Sequence, residues 1–361
     1  MSKKIWIKAN GNETVATGHI RRCMSIADEL IKRGMDVEFI LSDDDSAHVL
    51  RVLSDQDGAV YDARILHTSF SEPLGDLDVY ADIFEDEAPD FFLVDSYYVT
   101  PEYMSRLKDL LDKSGKQTKL GYIDDFNKDD YPVDLLVNYD VSGPEDNYSA
   151  KVKLLGAEYA PLRPEFGQMD FEIRPRATRV FLSAGGTDPY QIIKSILSEI
   201  YEDDSPCRRV LDVTGLEAEV IVGTLFDEDY KRELEALAKK HNAITLHGFV
   251  NNMPELMRSC DFAVSAGGTT LYELCAVGVP TVVFSMADNQ VEFAKGFDKQ
   301  GAAKYAGDAR NDRRLVQKMV TWGTAAVENP GFRKRMSDKA RSIVDGKGTE
   351  KIVDAIIELM A

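Results

Sequence analysis

The sequence predicts an α/β protein of two Rossmann-like domains, each a parallel sheet flanked by helices. Three observations lead there. Strand and helix patterns alternate from one end of the chain to the other, the signature of parallel strands joined by crossover helices. The 361 residues exceed the size at which one hydrophobic core stops growing. A break in the pattern between Ala160 and Arg179, carrying Pro161, Pro164, Gly167 and Pro175, reads as a linker. We therefore expect an N-terminal domain over 1–165 and a second domain over 176–345. The last helix, within 346–361, fits either.

Lys3–Lys8 reads as the first strand, followed by a glycine-bearing loop and a helix from about His19 to Arg33. That helix places Ile20, Cys23, Met24, Ala27, Leu30 and Ile31 on one face, and Gly34 closes it. Val37–Leu41, Phe91–Asp95, Lys119–Ile123 and Leu135–Asn138 read as further buried strands. The second series begins at Val180–Ser183 and continues through Arg209–Val213, Ala243–Leu246, Phe262–Ser265 and Thr281–Ser285, with a final helix at about Thr349–Met360. Two such domains in tandem predict a ligand cleft at the carboxyl ends of their strands.

Composition narrows the partners. A net charge of -19 disfavours nucleic acid and anionic membranes, which reward clustered Lys and Arg. A diphosphate remains compatible, because helix N-termini and backbone amides supply local positive potential. Cys23, Cys207, Cys260 and Cys275 show no paired spacing, which argues against zinc or redox chemistry. The N-terminus shows no secretory signal pattern and no run of eighteen uncharged apolar residues occurs, so a cytoplasmic location is expected.

Four loops have the composition of a site. In the first, Asn10 to His19, Gly11 and Gly18 permit tight turns, and His19 falls at a helix N-terminus whose dipole disfavours an imidazolium. It reads equally as a base or as a packing residue on the first turn. In Ser183–Pro189, Asp188 and Pro189 fit ordinary helix initiation, whereas Gly185 and Gly186 suit a phosphate. In Ser265–Glu273, Thr270 and Glu273 fit a capping box. Alternatively, Gly268 and Thr269 hold a diphosphate while Glu273 accepts from ribose hydroxyls. In the fourth, Asn289 and Gln290 suit sugar hydroxyls or N-acetyl groups, with Asp288 a simple helix cap. None matches the Rossmann or P-loop glycine spacing. Asp95-Ser96-Tyr97 and Asp124-Asp125 also follow apolar strands. No His or third carboxylate sits at ligand spacing beside them, so no metal is expected.

Taken together, Thr17-Gly18-His19-Ile20-Arg21-Arg22-Cys23, Val94-Asp95-Ser96-Tyr97, Tyr122-Ile123-Asp124-Asp125, Leu162-Arg163-Pro164-Glu165-Phe166, Gly185-Gly186-Thr187-Asp188, Gly267–Leu274 and Ala287-Asp288-Asn289-Gln290 resemble the UDP-sugar hydrolases of pseudaminic acid biosynthesis. The related spore-coat polysaccharide proteins (PseG/SpsG-like) share the pattern. The resemblance implies a GT-B-type fold related to the MurG glycosyltransferases. It implies hydrolysis of UDP-2,4-diacetamido-2,4,6-trideoxy-β-L-altropyranose to UDP and free sugar, without metal or cofactor. On that resemblance His19 is the base, and Asn10, Gly18, Tyr97 and Asp125 lie on the sugar side. Gly185, Gly186, Gly267, Gly268, Thr269 and Glu273 hold diphosphate and ribose, the backbone near Phe249 and Val250 receives the uracil, and Asn289 and Gln290 read the sugar. The chain departs from the pattern where Lys8-Ala9-Asn10-Gly11 replaces Arg-x-Asp-Gly and where Ala16 replaces a glycine.

The implied mechanism is attack of a water, deprotonated by His19, on the anomeric carbon with inversion. Two rivals share the nucleotide-sugar site: a GT-B glycosyltransferase using an acceptor hydroxyl, and a binding protein without turnover. The basic, apolar patch expected of a membrane-working transferase is missing from the N-terminal half of the sequence.

Overall fold

The computed structural model describes residues 2–142, 147–167, 170–202, 215–250 and 252–361. It comprises two compact units, Met1–Arg163 with Lys347–Ala361, and Pro164–Gly346.

In the first unit β1 (Lys4–Lys8), β2 (Asp36–Leu41), β3 (Asp62–Ile65), β4 (Phe91–Asp95), β5 (Lys119–Ile123), β6 (Leu135–Asn138) and β7 (Val152–Leu155) form a parallel sheet in the order β3-β2-β1-β4-β5-β6-β7. The period-2 geometry of β1 divides its side chains between two cores. Ile5 and Ile7 pack with α1 (Gly18–Lys32), whereas Trp6 joins Tyr80 of α3 (Asp76–Asp86) and Tyr103 of α4 (Pro101–Lys113). Between β2 and β3 runs α2 (Asp44–Asp57), whose N-cap Asp43 accepts from the Ser46 amide, so the acidic run Asp43–Asp45 does open a helix.

The buried face of α1 is rotated from the expected one. Ile26 is fully buried while Ile31 is 43% exposed, because Arg22, Ser25 and Glu29 also turn inward beside the apolar stripe. The C-terminal helix Gly348–Met360 belongs to this unit. Its Ile352, Val353 and Ile356 share a core with Ile20 and Ala27, and Arg33 pairs with Asp354 at 2.7 Å. Gly348 permits the approach: a Cβ there would meet the Ala160 carbonyl oxygen at 2.1 Å.

The second unit is a six-stranded parallel sheet, β10-β9-β8-β11-β12-β13. Its strands are β8 (Arg179–Ser183), β9 (Glu217–Ile221), β10 (Ile244–His247), β11 (Phe262–Ala266), β12 (Thr281–Ser285) and β13 (Ala303–Asp308). The helices are α5 (Ile192–Tyr201), α6 (Glu228–Lys240), α7 (Met253–Ser259), α8 (Thr269–Val277), α9 (Asp288–Gln300), α10 (Leu315–Glu328) and α11 (Pro330–Ile343). The expected strand Arg209–Val213 lies outside the described residues. The edge strands β3 and β13, Asp-Ala-Arg-Ile and Ala-Lys-Tyr-Ala-Gly-Asp, lack the apolar runs of the central strands because each has only one strand neighbour.

The strand order of each sheet reverses once. The first switches between β1 and β4 and the second between β8 and β11, which pair with Ser183 beside Ser265. Loops leaving neighbouring strands at such a point diverge and leave a crevice. Among the described residues, no helix is long and apolar enough to cross a membrane.

Candidate functional site

The first switch point brings together residues far apart in the chain. The loop after β1 delivers His19 on the first turn of α1, and β4 ends at Asp95. Nδ1 of His19 lies 2.6 Å from Oδ1 of Asp95, with both side chains buried. The Arg22 guanidinium sits on the far side of this pair. It donates from Nε to Asp95 Oδ2 at 2.6 Å, from Nη2 to Asp95 Oδ1, and from Nη1 and Nη2 to both oxygens of Asp125 at 2.8 and 2.7 Å. Nη1 also donates to the Tyr139 hydroxyl.

These contacts assign the histidine tautomer. Arg22 Nη2 is also 3.1 Å from Nδ1, but both its hydrogens go to carboxylates, so Nδ1 carries a hydrogen and donates it to Asp95. In its neutral form the ring then holds its lone pair on Nε2. That atom is buried and makes no hydrogen bond among the described residues. A buried acceptor left unpaired costs about 1–3 kcal/mol.

Nε2 belongs to a side chain that lines a cavity of about 10 Å³, together with Asn10, Val15, Phe70, Asp95, Ser96, Tyr97 and Tyr98. That volume matches a single water molecule. Tyr97 meets the imidazole edge-on at 4.2 Å between ring centroids, fixing the ring plane.

Burial alone would raise the Asp95 carboxyl, but Arg22 and then His19 overcome it and hold the group well below the ordinary carboxylate range. Arg22 is correspondingly raised by Asp125 and Asp95 against its own burial. Removing Arg22 would leave Asp95 buried without its principal counter-ion, a defect costing about 3–5 kcal/mol in comparable networks.

Sequence spacing suggested that no histidine stood near the paired carboxylates. The fold corrects this: ligand-type atoms of His19, Asp95 and Asp125 lie within 4.8 Å of one another. The donor set still suits a divalent cation poorly, because the guanidinium already spans both carboxylates and compensates their charge. Asp124 and Asp125, read as a pair, have separate tasks. Asp124 accepts from the Phe126 and Asn127 amides and the Tyr148 hydroxyl, and its burial raises it. Asp125 faces Arg22 and keeps part of its side chain exposed. Lys8 also leaves the site, pairing with Asp76 at 2.7 Å in the interior and donating to Ser42. Gly18 opens α1 with free space where a Cβ would stand. Ala16 adopts φ +56, the left-handed region, which explains why glycine suits that position.

In the second unit three glycine- or amide-bearing loops leave the adjacent strands β8, β11 and β12. Gly185 has φ +83, and Gly223 lies 2.5 Å (from its would-be Cβ) from the carbonyl oxygens of Gly185 and Gly186. Backbone shape thus accounts for Gly185, whereas a Cβ on Gly186 would meet open space. Asp188 caps α5, but from four residues upstream: its carboxylate accepts from the Ile192 and Ile193 amides at 2.9 Å each. It also accepts from Tyr230 at 2.6 Å. Those amides are consequently committed to a protein carboxylate and unavailable to an anion.

The helix start shifts by two residues from the capping box read at Thr270 and Glu273: α8 has Gly268 as N-cap with no side-chain cap, which makes Thr270 its second residue. The Gly267 and Gly268 amides donate to the carbonyls of Phe284 and Ala266, so these two N–H groups are already paired. What remains there is the head of α8, with Thr269 exposed and open space at Gly268. Glu273 lies half-buried one turn further along. Gln290 uses its amide oxygen to accept from the Met286 backbone at 2.8 Å, while Asn289 is exposed. Phe249 and Val250 follow β10, with Phe249 55% exposed, and His247 beside them contacts Glu219 at 2.6 Å.

Sequence reasoning named His19 but gave Asp95 and Arg22 no role. The local signal was partial: an Asp closes the apolar strand Phe91–Asp95, and an Arg stands three residues after His19 on the first helix.

Comparisons with known proteins agree with this architecture. Residues 190–354 match the glycosyltransferase family 28 C-terminal domain. The spore coat polysaccharide biosynthesis protein SpsG of Bacillus subtilis (strain 168) is 27% identical over 210 residues, which cover 56% of this chain and 58% of that protein. The UDP-N-acetylglucosamine–N-acetylmuramyl-(pentapeptide) pyrophosphoryl-undecaprenol N-acetylglucosamine transferase of Sorangium cellulosum (strain So ce56) is 25% identical over 218 residues, covering 58% of this chain and 49% of that one. The chain thus spans less than three-fifths of the length of these relatives. Among solved structures, Acinetobacter baumannii MurG superposes with a TM-score of 0.66 at 15% identity over 99% of both chains. The chain has a MurG-like GT-B fold of two parallel-sheet, Rossmann-like domains.

Proposed function

We propose that this protein hydrolyses a UDP-linked 2,4-diacetamido-2,4,6-trideoxyhexose to UDP and free sugar, in nonulosonic acid or surface polysaccharide synthesis. The observation that carries the reading is the unpaired Nε2 of His19 beside a cavity with room for one water. UDP leaves readily, so the harder partner is the weak nucleophile. Asp95 holds the imidazole with Nδ1 protonated and stabilises the cation formed when Nε2 takes the water's proton, a role typically worth about 10²–10⁴-fold. Diphosphate charge falls to the head of α8, where the helix dipole is not met by a side-chain cap.

A glycosyltransferase is the second reading, favoured by the family 28 match and the transferase relatives. Incubation with UDP-diacetamido-sugars in ¹⁸O-water, without acceptor, separates the two. We expect UDP release with inversion and label in the sugar. Label in UDP would refute attack at carbon, and turnover only with added acceptor would establish the transferase. His19→Asn should abolish turnover while UDP binding persists.

A further inference from the structure

A space for one water cannot enclose a pyranose, so a sugar presented to His19 must lie on the solvent side of the cavity. A row of rings leads from that cavity outward. His19 is buried, and Tyr97, which also lines the cavity, is half-buried with its centroid 4.2 Å from the imidazole. Phe126 comes next, its centroid 5.2 Å from that of Tyr97, and it is 36% exposed.

The loop after β5 fixes Phe126 in the open. The Phe126 N–H donates to Asp124 Oδ1 at 2.9 Å and the Asn127 N–H to Oδ2 at 3.0 Å. Tyr148 donates to the same carboxylate at 2.6 Å. Asp125, immediately before Phe126, is tied to Arg22 through both oxygens. The two adjacent carboxylates therefore hold one exposed aromatic ring beside the catalytic network. A ring ordered in advance of binding loses little freedom when a ligand covers it. The Lys128 ammonium lies 4.8 Å from the ring centroid, an exposed contact weak enough for a ligand to displace.

We propose that Phe126 is a sugar-binding residue, its ring taking a C–H-bearing face of the pyranose held before His19. The ligand class it favours is a deoxy or N-acetylated sugar. Methyl and C–H groups gain from covering an aromatic face, whereas each hydroxyl set against it loses water without finding a partner. This rests on the nucleotide-sugar reading, but not on whether water or an acceptor attacks.

Binding measured without turnover tests it. In a His19→Asn background, calorimetric titrations with UDP and with UDP-2,4-diacetamido-2,4,6-trideoxy-β-L-altropyranose compare Phe126 with Phe126→Ala and Phe126→Tyr. We expect Phe126→Ala to weaken the UDP-sugar about tenfold, near the upper end of what an aromatic contact is worth, and to leave UDP affinity unchanged. Phe126→Tyr, which keeps the ring, should bind both ligands like its parent. No loss in Phe126→Ala, an equal loss for both ligands, or a tyrosine variant as weak as the alanine one overturns the assignment while the parent's binding keeps the nucleotide-sugar reading intact. A parent that binds neither ligand overturns that reading, and the assignment with it.

Discussion

Asp95 grips His19 at one ring nitrogen: its Oδ1 is 2.6 Å from Nδ1, which leaves Nε2 as the ring nitrogen able to act on a ligand. The same carboxylate is held from behind by Arg22, so the orientation of the imidazole is set by a chain of three buried groups.

Asp95→Asn keeps the shape but lets the amide nitrogen face Nδ1, which favours the tautomer with hydrogen on Nε2. We expect kcat for UDP release to fall by about 10²–10⁴-fold with UDP affinity retained, the scale seen when an imidazole loses its orienting carboxylate. Steady-state kinetics with UDP-binding calorimetry checks this. A kcat within a few-fold of wild type would show that Asp95 does not orient the base.

The depressed Asp95 carboxyl makes a signed prediction for acid stability. A folded value below the unfolded one, near 3.9, stabilises the protein fully above about pH 4, and that contribution is lost as pH falls toward the folded value. Asp95→Asn has no such proton to gain. Thermal unfolding between about pH 6 and pH 2.5 should therefore show a shallower acid slope in the variant. Equal slopes would mean the ion pair persists little in solution.

Ala16 carries the cost of a left-handed backbone at φ +56, within the loop that leads to His19. Ala16→Gly should stabilise the first unit by about 0.5–1 kcal/mol, the left-handed penalty being partly offset by the greater freedom of glycine in the unfolded chain. Denaturant midpoints measure it. A destabilised Ala16→Gly would place Ala16 in the ordinary region instead.

Much of the fold was legible because buried parallel strands announce themselves: β4, β5, β6 and β12 lie where continuous apolar runs predicted them. The edge strands β3, β7 and β13 were not, since a strand with one neighbour can carry a mixed sequence such as Asp62–Ile65, whereas edge strand β10 was read at Ala243–Leu246 and the interior strand β9 (Glu217–Ile221) was missed. The paired glycines were legible as turns. Their amides proved to be spent on Phe284 and Ala266, which depends on how neighbouring strands end and is invisible to spacing.

Local sequence determined that two α/β halves form, that glycine-rich loops follow their central strands, and that His19 begins a helix. Those features depend on periodicity and turn chemistry among near neighbours. Only the tertiary structure decided what His19 can do. Asp95 lies 76 positions away from it, and Asp125 lies 103 from Arg22. They meet because the sheet changes direction between β1 and β4, a pairing that strand order controls and no local pattern records.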